Sequence, residues 1–168
     1  MGEIESSFGD ACLADTRGLH RGLKIKQGYR LMIAISLKNL GYKVCLNIMQ
    51  ISSMDSKAIA IASKNIFSWK CIDVLYFADS FGNLEPESIE SIISVMSSQW
   101  KGDLGIHTHD NLGLALSNTL RALDEGVTWL DSTVTGMGRG PGNARTEELA
   151  IELAAHRNKE IDVVPLLA

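Results

Sequence analysis

From residue 44 onward the chain alternates short apolar runs with longer amphipathic stretches. The runs at 44–50, 73–78, 104–109 and 129–134 are rich in β-branched and aromatic residues and predict strands. Their starts lie 29, 31 and 25 residues apart, close to the ~30 residues of a strand–helix–strand unit. Between them apolar positions recur at helical spacing. Ile59, Ala62, Ile66 and Trp69 mark one face; Ile89, Ile92, Ile93, Met96 and Trp100 mark a second; Leu112, Ala115, Leu116, Leu120 and Leu123 mark a third. Pro86 suits a first helical turn, where its missing N–H costs nothing. Gly126 falls where a helix end wants a left-handed residue. A last helix is expected near Thr146-Glu147-Glu148, whose carboxylates favour the positive end of the dipole. An earlier helix, with Ile33, Leu37 and Leu40 inward, is expected to end at Gly41. Strands that alternate with helices, without hairpin turns, imply a parallel sheet covered by helices. The fold class is therefore α/β, either an open doubly wound sheet or part of a TIM (β/α)8 barrel. Residues 1–27 are an irregular segment, 28–156 form the βα core, and the 168 residues are expected to make a single domain.

The composition, 45% apolar and 21% charged, is ordinary for a globular chain. A net charge of −4 gives no general footprint for nucleic acid. Residues 1–43 carry +3 and the remainder −7, so the first forty residues belong to a different structural context. Cys12, Cys45 and Cys71 are widely spaced and odd in number, which speaks against a disulfide framework and for a reducing cytoplasm. No apolar run approaches the ~18 residues of a membrane span. The acidic start, MGEIESSFGD, does not read as a secretory signal.

In either architecture ligands bind at the carboxyl ends of the strands. All four ends are polar: Asn47 to Ser53, Asp79 to Asn83, His107 to Asn111, and the glycine-rich stretch 136–143. His107 and His109 stand two apart on a strand, so both imidazoles project to one side. Two imidazoles with open positions suit a catalytic divalent metal; the alternative is a hydrogen-bonded polar pair at a strand end. Stretch 136–143 is neither a P-loop nor a dinucleotide fingerprint. Its glycines either let backbone amides approach an anion or serve a tight turn with positive φ. Gly138, Arg139 and Asn143 are its candidate contacts. Asp79 is a candidate acid or base, a group orienting an imidazole, or a helix cap. Asn47 completes the candidate pocket.

Three segments together carry a resemblance: Tyr76 to Gly82, Gly105 to Gly113, and 136–143 followed by Ala144-Arg145-Thr146-Glu147-Glu148. In order and spacing they resemble the hydroxymethylglutaryl-CoA-lyase-like family, the pyruvate carboxyltransferase domain group of metal-dependent aldolases, lyases and Claisen synthases. Within it they are most similar to 4-hydroxy-2-oxovalerate aldolase-like members. The resemblance covers residues 40–155 or so. It implies that the chain holds about half of a barrel, strands four to seven. It implies a divalent ion (Mn, Mg, Co or Zn) bound by His107 and His109, with Asn143 contributing as in lyase members. It also implies that the ion holds an α-keto acid such as pyruvate and stabilises its enolate, with Asp79 lining the pocket.

Two departures bear on this. The family's first strand carries a metal-binding aspartate and an arginine, and the 43 residues before Val44 are too few for three βα units at ~30 each. Asp15-Thr16-Arg17-Gly18 resembles that motif faintly and is assigned no role. The glycine stretch lacks the cysteine of acyl-CoA lyase members, which argues against that activity. The leading expectation is a carbon–carbon lyase of aldolase type that releases a keto acid, completed by a homo-oligomer or a complementing half-barrel chain. The alternative is a non-catalytic truncated fragment that binds metal weakly or packs against a partner. A metal-dependent hydrolase is a third reading, which would want further ligands on later strands.

Overall fold

The computed structural model describes residues 31–34, 43–69 and 71–167; the expected irregular segment 1–27 lies outside them. In chain order the elements are β1 (Leu31–Ala34), β2 (Cys45–Ile48), α1 (Ser56–Phe67), β3 (Val74–Asp79), α2 (Pro86–Gln99), β4 (Asp103–Thr108), α3 (Ala115–Asp124), β5 (Trp129–Leu130) and α4 (Thr146–His156). Short 3-10 turns occupy Ile51–Ser53, Val134–Gly136 and Val164–Leu166. Strands β2 to β5 lie side by side in chain order, each parallel to the next. A doubly wound sheet reverses its order at a switch point and carries helices on both faces. Among the described strands no such reversal occurs, and one face takes the helical core. The fold is α/β with parallel strands, ordered like a segment of a barrel wall.

Alternation along the strands builds that wall. Leu46, Ile48, Leu75, Phe77, Leu104 and Ile106 face the helices and close on Ile59, Ile66, Ile89, Ile93 and Met96. The intervening positions, Asn47, Tyr76, Ala78, Gly105 and His107, share the opposite face. Local chemistry sets the helix ends. Asp55 Oδ1 accepts from the Ala58 amide at 2.7 Å and caps α1. Pro86 opens α2, and Gly126 closes α3 with φ of 90°. Helix α4 begins at Thr146 with Glu147 and Glu148 in its first turn, as the pattern predicts.

Three expectations need correction. The helix through Ile33 is replaced at its start by β1, which pairs antiparallel to β2 with Ile33 opposite Leu46. The unbroken apolar run Leu31-Met32-Ile33-Ala34 is too short to carry a helical period, and β2 would otherwise expose a row of unpaired backbone groups. Leu37, Leu40 and Gly41 lie outside the described residues. The fourth parallel strand stops at Leu130 rather than continuing to Val134. Downstream, the Thr133 amide donates to Ala144 O and its carbonyl accepts from Thr146 N, both at 3.0 Å, so this backbone serves the returning chain instead of the ladder.

The third correction concerns α3. Of the expected face Ala115 is fully buried, but Asn118, Thr119 and Ala122 take the rest of the interior in place of the leucines; Leu112 precedes the helix and is 58% exposed. Polar side chains enter the interior through donors that find carbonyls, although Asn118 Oδ1 is buried without a partner. Asn118 Nδ2 donates to Leu84 O at 2.9 Å, and the Thr119 hydroxyl donates to Ala115 O at 2.8 Å. A hydrogen-bonded amide can replace apolar packing, whereas an unpaired one cannot. Asn118→Ala should therefore cost about 1–3 kcal/mol in urea unfolding, while Leu112→Ala should change stability by under about 0.5 kcal/mol. The reverse order would restore the leucine face as the core.

Candidate functional site

Strand β4 delivers His107, and His109 follows immediately beyond its end. The two rings meet edge to face, with centroids 5.1 Å apart and planes at 84°. The backbone of His109 forms an isolated antiparallel bridge with Asn143, so the glycine-rich stretch runs back along the strand end. The Asp110 amide donates to Gly142 O at 3.0 Å. Asp110 Oδ1 accepts from the Ala115 amide at 2.9 Å and so ties the same corner to the start of α3.

The imidazoles have different surroundings. His107 Nδ1 lies 3.2 Å from Asp131 Oδ2, which leaves Nε2 for another partner. His109 Nδ1 is buried without a hydrogen-bond partner, and so is Asn143 Oδ1. Burial pushes the pKa of His109 down; the neighbouring His107 ring and the Arg139 guanidinium push the same way. The Gly142 backbone and the Asp79 carboxylate oppose them more weakly.

The glycine stretch is shaped by contacts that admit no side chain. Gly142 has φ of 98°, and a Cβ there would run into the Gly136 carbonyl oxygen. A Cβ on Gly138 would lie 2.7 Å from Asn143 Nδ2, an atom that donates to Met137 O at 3.3 Å and so turns Oδ1 to the free side. Arg139 Nη2 donates to Ser80 O at 2.6 Å, while Ser80 Oγ accepts from the Gln50 amide at 2.8 Å. Ser80 thus ties the end of β3 to the end of β2 and to the glycine stretch.

The structure brings His107, His109, Asn143 and Arg139 to one strand mouth. Gly138 is there as space rather than as a contact. Asp79 is completely buried, and its two carboxylate oxygens accept from the Asn83 and Leu84 amides, each at 3.1 Å. Its carboxylate holds the loop between β3 and α2, though its charge still reaches His109. Asn47 pairs in register with Tyr76, one layer below the histidines, and its Oδ1 is buried without a partner.

Sequence reasoning missed Asp131, Tyr76 and Ser80. The signal for Asp131 was lateral: Ile106 pairs with Leu130, so the next residue on each chain brings His107 beside Asp131. Among the described residues, no group of three His, Cys, Asp or Glu is placed to hold a metal ion. The donor set is instead two imidazoles and an amide oxygen. Their unpaired buried acceptors are of the kind that suits a borderline or hard divalent cation. Asp15 and Arg17 lie outside the described residues. The three cysteines include none in the glycine stretch.

Known proteins resemble this chain in sequence and in fold. The HMGL-like family model matches residues 24–167. A 4-hydroxy-2-oxovalerate aldolase of Carboxydothermus hydrogenoformans is 33% identical over 117 residues, which are 70% of this chain and 34% of that protein. Among solved structures, the N-terminal domain of a putative aldolase from Bacteroides vulgatus superposes with a TM-score of 0.67 at 33% identity, covering 77% of this chain and 43% of the other. The HMG-CoA lyase of Bacillus subtilis superposes with a TM-score of 0.67 at 21% identity, covering 77% and 48%, and so shares the fold. The chain belongs to the HMGL-like family. It spans about a third of the length of the curated aldolase it matches. No described helix is long and apolar enough to cross a membrane.

The lowered pKa of His109 has a definite sign. Folding favours the neutral ring, so its stabilising contribution is complete above the unfolded value of ~6.5 and is lost as pH falls through the lower folded value. An NMR titration should place His109 below ~6.5, and His109→Gln should flatten the acid limb of stability against pH. A titration at or above 6.5 would contradict the burial described.

Proposed function

We propose that this chain forms the histidine-bearing part of a metal-dependent carbon–carbon lyase of aldolase type. It acts on a hydroxy-keto acid and releases pyruvate or a related keto acid. The observation that carries the reading is the strand mouth itself: two imidazoles on one side of β4, bridged to Asn143, with His109 Nδ1 and Asn143 Oδ1 buried and unpaired. Membership of the HMGL-like family supports it, as does the likeness to a 4-hydroxy-2-oxovalerate aldolase.

Strands β2 to β5 then correspond to strands four to seven of the barrel, with β1 lying antiparallel on the edge where a third parallel strand would pair and the remaining strands supplied by further chain or by a second copy. His107, His109 and Asn143 would hold the ion, with availability deciding among Mn, Mg, Co and Zn. When bound, the ion supplies Lewis acidity for a carbonyl oxygen. The chain's residues do the rest by position. Arg139 anchors through one N–H to Ser80 O, and the other donors of its guanidinium can meet a substrate carboxylate. Asn47 offers its unpaired oxygen beneath the mouth, and Asp79 fixes the loop that borders it. The setting is a cytoplasmic enzyme acting on a small molecule, with neither nucleic acid nor membrane as partner.

A narrower reading, in which this chain binds the ion weakly and does not turn over alone, draws on the donor set just described, which holds no carboxylate. Calorimetric titration with Mn²⁺ and a coupled pyruvate assay on a 4-hydroxy-2-oxo acid separate the two. Saturable binding that falls at least tenfold in a His107→Ala/His109→Ala variant, together with pyruvate release, supports the lyase. Binding without release supports the narrower reading. Wild type and double variant binding Mn²⁺ equally would sink both.

A further inference from the structure

The face of the sheet that carries the histidines holds a second polar group, one layer deeper and one strand over. Tyr76 on β3 is the register partner of Gly105 on β4, and its ring lies flat against that glycine. A Cβ on Gly105 would sit 2.5 Å from the ring carbon that bears the hydroxyl. The bare glycine therefore lets the ring reach across β4 toward the end of β5, which Asp131 follows directly. Asp131 also lies 3.2 Å from His107 Nδ1 through Oδ2. The phenol pKa is raised, first by burial, then by the Asp131 charge and a hydrogen bond to that carboxylate. One carboxylate, just past the end of β5, is thus shared by a phenol from β3 below and an imidazole from β4 beside it.

A neutral imidazole carries one N–H, and the partner of one nitrogen decides the state of the other. A carboxylate accepts only, so it selects the tautomer with the proton on the nitrogen facing it. We propose that Asp131, braced by Tyr76, is a positioning residue that holds neutral His107 as the Nδ1–H tautomer and turns its unprotonated Nε2 to the strand mouth. Carboxylates that orient ligand imidazoles in this way recur in metal sites. The inference deepens the proposed function and rests on it for its purpose, while the tautomer itself can be read with no ion present.

The test is long-range ¹H–¹⁵N correlation of the histidine rings in the ion-free protein at about pH 8.5, two pH units above the ordinary imidazole value of ~6.5. Wild type should show His107 as Nδ1–H. Asp131→Ala should convert it to Nε2–H or to a mixture, whereas Asp131→Asn, whose amide oxygen still accepts, should keep Nδ1–H. Gly105→Ala should displace the Tyr76 ring and blur the tautomer. Mn²⁺ affinity measured in parallel should fall about 10–100-fold in Asp131→Ala and less in Asp131→Asn. Wild-type His107 found as Nε2–H overturns the inference, as does an unchanged tautomer in a folded Asp131→Ala. The wild-type spectrum alone decides should that variant fail to fold. A wild type that shows Nδ1–H yet binds no ion would instead strike the functional reading.

Discussion

The two-residue alternation of β4 is the constraint on which the rest of the molecule depends. Leu104, Ile106 and Thr108 turn to the helices, where the first two join the apolar layer and the Thr108 hydroxyl lies 3.0 Å from that of Thr119. Gly105, His107 and His109 turn the other way. A slip of one residue would exchange the faces, driving both imidazoles into a layer of isoleucine and phenylalanine. The hydrophobic drive that docks Leu104 and Ile106 onto the helices therefore also decides where the polar chemistry goes. Register then spreads the effect sideways: with β4 in place, Tyr76 and Asp131 can stand only where they do.

Beyond the strands, order is kept mostly by single polar atoms with two duties. Ser80 accepts at its hydroxyl from Gln50 and at its carbonyl from Arg139. Asp79 occupies both carboxylate oxygens with backbone amides, and Asp110 serves the glycine stretch and α3 together. These bonds replace packing in a region where few apolar side chains are available. They explain why loops rich in glycine hold a defined shape at the mouth of the sheet.

Much of this was legible in the chain. The strand–helix beat, the start of α4 at Thr146, the cap at Gly126 and the pairing of the two histidines all follow from periodicity and turn chemistry. What escaped was decided by partners distant in sequence. The buried face of α3 is polar because Leu84 and Ala115 offer carbonyls to Asn118 and Thr119, and hydrophobic periodicity does not register such pairs. The spacing of Ile33, Leu37 and Leu40 points to a helix, and the strand at Leu31–Ala34 shows only through its pairing with the edge of β2. Asp131 looked like the middle of a strand, and its relation to His107 emerges only from lateral register. Asp79 was expected with its cap among three alternatives, and the amides of Asn83 and Leu84 show how its carboxylate is engaged.

The contact between Tyr76 and Gly105 sets a floor. An aromatic ring fills the volume directly under the imidazoles, and a glycine with no room to grow keeps it there. No side chain can be added at 105 without moving the ring, whereas at the rim above it Met137 is 76% exposed. Change is thereby left to exposed side chains at the rim, while the layer beneath holds a constant depth.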